Sequence, residues 1–391
     1  MLMQSSSNLQ KNTNDTYQSE APAMLDKYNK SMIENYQKQI KDGTLTVEMD
    51  PDLNNLDFIR LLNLNKLVLK YCEYIIPKLE SSTIKQLELT ECYIQSVKDF
   101  QLENLEVLVI RNSLFDILES KTLAQEITMF YKLKELILQK CITDFSPLSQ
   151  MTGLTKLSLI ECNLHSTEAL RPLINLEKLI LNGNDIDITT VQYLTNLTEL
   201  ALMECNLVNL DALRPLINLK ELHLDYSKVD ITSVQYLTNL TNLSLGLCNL
   251  VNIDVLRPLK KLKVLDIYKN KIVYLQPLIE LKQLSTIDVS YNKIIDTESI
   301  QLHPNFNNFI LYGQKQPTQE QLEVANMMRN IQNTITFLKQ INKKSSRIKE
   351  INTVFRQKIN QQLQDSYNSH EQFVARVAQL FQKTNVFDGC Q

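Results

Sequence analysis

One repeated pattern constrains this chain more than any other feature. The motif LxxLxLxx(C/N)x(L/I) begins at Leu64, Ile84, Leu105, Leu133, Leu154, Leu176, Leu197, Leu219, Leu240, Leu262 and Leu284. A truncated copy begins at Phe306, with Phe309 and Leu311. Successive starts lie 20, 21 and 28 residues apart, then 21 or 22 throughout. Each copy is too short to close a core alone and buries its apolar side only against its neighbours. A longer period lies on top, because residues 154–196 match residues 197–239 at 27 of 43 positions. Cys162, Cys205 and Cys248 follow that period, as do Arg171, Arg214 and Arg257. Duplication of a two-copy unit accounts for it.

Within the motif, positions 4 and 6 alternate with their neighbours, which is strand periodicity. Leu108 and Ile110 then point inward, Val107 and Val109 outward. Stacked copies pair their backbones into a parallel sheet along one face. Leu170, Leu173, Leu213, Leu216, Leu256 and Leu259 supply the opposite wall. In the 28-residue copy, Leu123, Ile127 and Phe130 fall at helical spacing, which predicts an α-helix within 120–131. Position 9, the turn after the strand, holds Cys72, Cys92, Cys141, Cys162, Cys205 and Cys248, Asn184, Asn270 and Asn292, and Ser113 and Ser227. Asn satisfies several buried backbone groups, whereas a thiol is a small filler with one weak donor. These residues read as a ladder of buried turns. A zinc cluster would need C-x-x-C pairs or nearby His, and a disulfide such as Cys72 with Cys92 an oxidising compartment.

These motifs resemble the leucine-rich-repeat superfamily. The nearest class is the short 21–22-residue kind of bacterial internalins and of the leucine-rich-repeat regulatory subunit of protein phosphatase one. Phe145-Ser146-Pro147-Leu148, followed by Met151-Thr152-Gly153-Leu154, is similar to that class's linker between strands. So are Leu170-Arg171-Pro172-Leu173 and its copies at Leu213 and Leu256. The resemblance spans residues 64–312. It implies an α/β solenoid with a curved parallel sheet on its concave face, where positions 2, 3, 5, 7 and 8 point outward.

The chain divides into a 1–23 tail, a 24–63 cap, repeats over 64–313 and a 314–391 C-terminal region. In the cap, Leu25, Tyr28, Met32, Tyr36 and Ile40 take helical spacing stopped by Asp42-Gly43, and Leu45 and Val47 then alternate as in an edge strand. Beyond the polar stretch 314–318, Val324, Met328, Ile331, Ile335 and Leu338 predict a helical pair or a coiled coil. A last helix is expected from His370 to Lys383. These helices either cap the solenoid or form a separate arm, with self-association through residues 320–365. The region from Gly313 carries 11 Lys+Arg and 6 Asp+Glu, a net of +5, against −8 for the rest.

The overall charge of −3 disfavours nucleic acid as the partner. No apolar run is long enough to span a membrane, and Met1 to Glu20 lacks the apolar core of a secretory signal. The sequons at Asn196, Asn239 and Asn242 therefore read as chance, and the expected location is cytoplasmic. None of the four histidines, His165, His223, His303 and His370, sits in a metal or triad motif. No Gly-rich phosphate loop or G-x-S-x-G occurs, and Cys390 has no fixed acid or base beside it. The expectation is a chain without catalytic residues, metal or cofactor. What remains is surface. The first half of the concave face offers Val68, Val109, Ile137, Ile160 and Ile180 among Lys70, Lys85, Glu88 and Arg111. The last half offers His223, Asp225, Tyr226, Asp266, Tyr268, Asp288, Tyr291 and Tyr312. Tyrosine gives large contact area at low entropy cost, and with Asp it suits a protein partner bearing Lys or Arg. That predicts a scaffold or adaptor. The alternatives are an oligomer built through the C-terminal helices and, by resemblance, a phosphatase regulator.

Overall fold

The alternating motif positions become strands stacked in one direction. The structure, a computed structural model, describes residues 30, 33–48, 56–72, 79–94, 96–115, 122–141, 144–295 and 300–315. The chain divides into Met1–Gln321 and Leu322–Gln391, and every described residue lies in the first unit. The helices expected beyond Val324 and the self-association segment 320–365 lie outside the described residues, as do the 1–23 tail and Leu25, Tyr28 and Met32 of the expected cap helix.

Among the described residues, thirteen strands form one parallel sheet: β1 (Thr44–Glu48), β2 (Lys66–Lys70), β3 (Gln86–Thr90), β5 (Val107–Arg111), β7 (Glu135–Gln139), β8 (Lys156–Ile160), β9 (Lys178–Ile180), β10 (Glu199–Ala201), β11 (Glu221–His223), β12 (Asn242–Ser244), β13 (Val264–Asp266), β14 (Thr286–Asp288) and β15 (Phe309–Ile310). Strand spacing of about 4.8 Å makes it roughly 58 Å long. A second small sheet pairs β4 (Tyr93–Ile94) with β6 (Leu114–Phe115). The Leu45/Val47 alternation is realised as β1, whose Leu45 and Val47 are buried beside Leu67 and Leu69 of β2. Residues 33–39 just before it are helical.

Motif positions 1, 4 and 6 fill the core from one side, and the connections close it from the other. Leu170, Leu173, Leu213, Leu216, Leu256 and Leu259 are all fully buried there. The 28-residue copy carries the α-helix Leu123–Ile127, with Leu123, Ala124 and Ile127 inward. The 21–22-residue copies instead use short 3-10 turns such as Glu168–Leu170, Thr189–Tyr193 and Asp211–Leu213. A 3-10 turn rises about 2.0 Å per residue against 1.5 Å for an α-helix, so it crosses the same distance with fewer residues.

The turn ladder holds the copies in register. Asn184 Oδ1 accepts from the Cys162 and Leu164 amides, both at 3.0 Å. Its Nδ2 donates to the Leu159, Leu181 and Asn182 carbonyls. Asn270 repeats all five bonds one 86-residue interval later, on Cys248, Leu250, Leu245, Ile267 and Tyr268. Gln314 takes the same role in the truncated copy, donating to the Val289 and Leu311 carbonyls. The cysteines manage less. Cys162 Sγ donates to the Leu138 and Ile160 carbonyls at 3.4 and 3.3 Å, and Cys248 Sγ to Leu224 and Gly246 at 3.1 and 3.4 Å. Burial pushes the Cys141 thiol up to about 12 and those of Cys162 and Cys248 up to about 11, so these three stay protonated. A second ladder lies just before the strands, where Asn104, Asn175, Asn196, Asn218 and Asn239 donate Nδ2 to a carbonyl of the preceding copy. The amide nitrogens of Asn196 and Asn239, two of the three sequon residues, are thus already engaged.

Candidate protein-binding surface

Strand register aligns motif position 5 into one row across the concave face. It runs Val68, Glu88, Val109, Ile137, Ser158, Ile180, Ala201, His223, Ser244, Asp266, Asp288 and Ile310. Position 7 adds a parallel row that includes Arg111, Asp225, Tyr268 and Tyr312. Position 8 behaves unusually, because its backbone is left-handed in every copy. The twelve residues are Tyr71, Glu91, Asn112, Lys140, Glu161, Gly183, Glu204, Tyr226, Leu247, Lys269, Tyr291 and Gly313. A non-glycine residue there costs roughly 1–2 kcal/mol. Each position-8 amide but the last donates to the position-7 carbonyl of the next copy, as Tyr226 does to Gly246 and Tyr291 to Tyr312. That bond returns about 0.5–1.5 kcal/mol. The ladder therefore holds Tyr226 and Tyr291, φ 62° and 55°, in a fixed outward direction.

The face changes character along its length. Its middle is an apolar hollow of about 370 Å³, floored by Ile137, Ser158 and Ile180 and flanked by Ile160 and Arg111. The charges around it neutralise one another: Arg111 with Glu88 at 3.2 Å, Lys156 with Glu135 at 3.4 Å, Lys178 with Glu199 at 2.7 Å. Ser158 Oγ is buried there without a hydrogen-bond partner.

Towards the last copies the composition becomes Tyr and Asp. Tyr226, Tyr291 and Tyr312 are 48%, 42% and 58% exposed. Tyr291 and Tyr312 meet edge to face, with ring centres 5.2 Å apart. Two glycines seat the rings. A Cβ at Gly246 would overlap the Tyr268 ring and lie 2.8 Å from Asp225 Oδ1. A Cβ at Gly313 would stand 2.6 Å from Tyr291 Cδ1. Lys269 Nζ lies 5.9 Å from the Tyr268 ring centre and 5.8 Å from that of Tyr291. Burial, then the neighbouring Tyr226 phenol that hydrogen-bonds it, pushes the Tyr268 phenol up to about 12.

Three carboxylates accompany these rings. Asp266 accepts from the Tyr268 amide at 3.1 Å and Asp288 from the Ser290 amide at 2.8 Å, which leaves each a second oxygen. Burial first, then the charges of Asp288 and Asp225, raises the Asp266 carboxyl above its ordinary value. Among the described residues none of the three pairs with a Lys or Arg. Asp225 departs from the sequence expectation of an open contact residue. It is only 4% exposed, and its Oδ1 accepts from Ser244 Oγ at 2.6 Å and the Gly246 amide at 2.8 Å. It braces the seat under Tyr268. His223 lies partly buried in the position-5 row, one strand from Ser244. The structure thus gathers seven of the eight predicted residues around two seated tyrosines, with His223 at the margin. Sequence reading missed Gly246, Gly313 and Lys269. Their signal was present, since Gly246 and Tyr268 share position 7 in consecutive copies, and Tyr291 and Gly313 share position 8.

Among the described residues no group of three His, Cys, Asp or Glu could hold a metal ion, and no helix is long and apolar enough to cross a membrane. No protein-family model and no curated protein sequence matches the chain. Solved structures do resemble it. An internalin from Listeria monocytogenes superposes with a TM-score of 0.55 at 23% identity, covering 73% of this chain and 84% of that one. A leucine-rich-repeat protein of Leptospira interrogans superposes with a TM-score of 0.50 at 19% identity, covering 74% and 91%. At these identities the likeness concerns the fold, which is the leucine-rich-repeat solenoid with a parallel sheet of short strands.

Proposed function

We propose that this leucine-rich-repeat solenoid is a non-catalytic adaptor that holds a protein partner on its concave face. The Tyr/Asp cluster of the last copies receives a partner segment bearing Lys or Arg. One observation carries this reading. Asp266 stands half-buried beside Asp288 and Asp225 with no cation paired to it among the described residues, whereas the mid-face cations Arg111, Lys156 and Lys178 each pair with a glutamate. Repulsion among close carboxylates raises their energy, and a bound ammonium or guanidinium relieves it. The surrounding rings offer the contact area and cation–π faces that such a side chain prefers. A cytoplasmic location belongs to the same proposal.

The test is affinity capture from the native cell, comparing the intact chain with Tyr268→Ala/Tyr291→Ala. The reading expects one partner to be lost from the double variant and its capture by the intact chain to weaken as salt rises. Equal recovery by both chains would overturn it. Fractionation that finds the protein outside the cell would overturn the location.

A further inference from the structure

The six described position-9 cysteines are not equivalent. Five are buried, and Cys72, in the first copy, is partly exposed. The next copy also has cysteine at this position, Cys92. Strands β2 and β3 run in register up to Lys70 and Thr90, two residues before the cysteines. The register persists into the turn, because the Tyr93 amide donates to the Cys72 carbonyl at 2.9 Å. Adjacent parallel strands stand about 4.8 Å apart, within the ~4.4–6.8 Å Cα separation a disulfide spans. The Cys92 thiol reaches back to the first copy, donating to the Leu69 carbonyl at 3.3 Å, three residues before Cys72.

We propose that Cys72 and Cys92 are a redox-modification site, a dithiol that a hydroperoxide oxidises to a disulfide tying the first copy to the second while the deeper rungs stay reduced. Cys141 and Cys162 provide the internal contrast. They too occupy consecutive copies, yet both are buried and burial pushes their thiols up to about 12 and 11. At the first pair the hydrogen bond from Cys72 outweighs burial and holds the Cys92 thiol down to about 7. The thiolate is the species that reacts at sulfur, so the first pair joins a partly exposed cysteine, Cys72, to a neighbour, Cys92, whose thiol ionises near neutral pH.

The chemistry balances in two displacements. Cys72 gives its proton to water, and its thiolate attacks one peroxide oxygen. The O–O bond breaks, Cys72 becomes a sulfenic acid, and the departing alkoxide or hydroxide takes a proton from water. Cys92 sulfur then attacks the Cys72 sulfur, the S–O bond breaks, and hydroxide leaves with the Cys92 proton as water. Two thiols and one hydroperoxide give one disulfide, one alcohol or water from the peroxide, and one water. The disulfide ends the thiol's donation to the Leu69 and Thr90 carbonyls, now at 3.3 and 3.4 Å.

The experiment titrates the reduced full-length chain with hydrogen peroxide, blocks remaining thiols by alkylation, and reads every cysteine peptide by mass spectrometry. The cross-linked Cys72–Cys92 peptide is expected first, with Cys141, Cys162, Cys205 and Cys248 still alkylated. In Cys72→Ala, which removes the donor and is checked for fold by circular dichroism, the alkylation of Cys92 at pH 7 slows at least ~10-fold, because thiolate fraction falls about tenfold per pKa unit. In Cys92→Ser, Cys72 stops at a sulfenic acid that dimedone traps. Three results would overturn the proposal: similar oxidation rates at all six cysteines, Cys72 passing to sulfinic acid with Cys92 intact, or cross-links only between chains.

Discussion

Replacing Asn184 by alanine should be among the most damaging single changes in the solenoid. The side chain is 2% exposed and makes five hydrogen bonds to backbone groups of two neighbouring copies. Alanine leaves the Cys162 and Leu164 amides buried without an acceptor. Each orphaned amide costs about 1–3 kcal/mol, so a loss of about 3–4 kcal/mol is expected after partial relaxation. Cys162→Ala removes only a small filler whose thiol makes two long bonds, for which ~1–2 kcal/mol is expected. Asn270→Ala breaks the same five bonds 86 residues on, so its loss should equal that of Asn184→Ala within about 0.5 kcal/mol. Urea unfolding followed by circular dichroism gives the global numbers. Hydrogen exchange gives the local ones, and protection should vanish first at the Cys162 and Leu164 amides in Asn184→Ala. Copies couple mainly to their nearest neighbours, so the opened region should stay within a few rungs. A loss no larger than that of Cys162→Ala would refute the idea that the Asn rungs carry the register.

Other outcomes follow from the same contacts. Gly246→Ala should displace the Tyr268 ring with little change in thermal stability, because the residue lacks a left-handed φ and the ring can swing outward; partner affinity should fall about tenfold, the ~1.4 kcal/mol of one aromatic contact. The raised Asp266 carboxyl makes the folded state hold its proton longer than the unfolded chain does. Its contribution to stability is therefore complete below the ordinary value of 3.8 and lost as pH rises through the folded value. Asp266→Asn should remove that dependence in urea titrations across the acid range. Binding of a cationic partner has the opposite sign, weakening as pH falls through the raised value, with a midpoint above 3.8 in a pull-down pH series. Ser158→Ala should leave the melting temperature unchanged or raise it, since it removes a buried hydroxyl with no partner.

The fold was legible because the constraint is periodic. Leu108 and Ile110 announce a strand only weakly, but the same spacing in twelve copies leaves a stacked parallel sheet as the arrangement that buries them all. The helix at Leu123–Ile127 was readable for a similar reason, as the 28-residue copy alone has room for it. The 3-10 turns were not, because Leu170 and Leu173 satisfy either kind of helix. The left-handed backbone at position 8 was hidden as well. Glycine or asparagine would mark it, yet Gly183, Asn112 and Gly313 are the only such residues there, and the inter-copy hydrogen bond holds the rest. At the candidate surface the tyrosines and aspartates were visible as residue types in outward positions. Which of them lie open was not. Asp225 sits in the same row as Tyr268, but Gly246 next to it lets the ring close over the carboxylate. That outcome depends on the size of a neighbour one copy away rather than on Asp225 itself.

The central claim is that the C-terminal part of the concave face holds a protein. Placing a photo-reactive phenylalanine analogue at position 291, and at the connection residue Tyr193 as the comparison, tests it most directly. Irradiation in the native cell should cross-link position 291 to one partner protein through a Lys- or Arg-bearing peptide and leave position 193 uncoupled. Coupling of that partner to position 193, with nothing captured at position 291, would contradict the account.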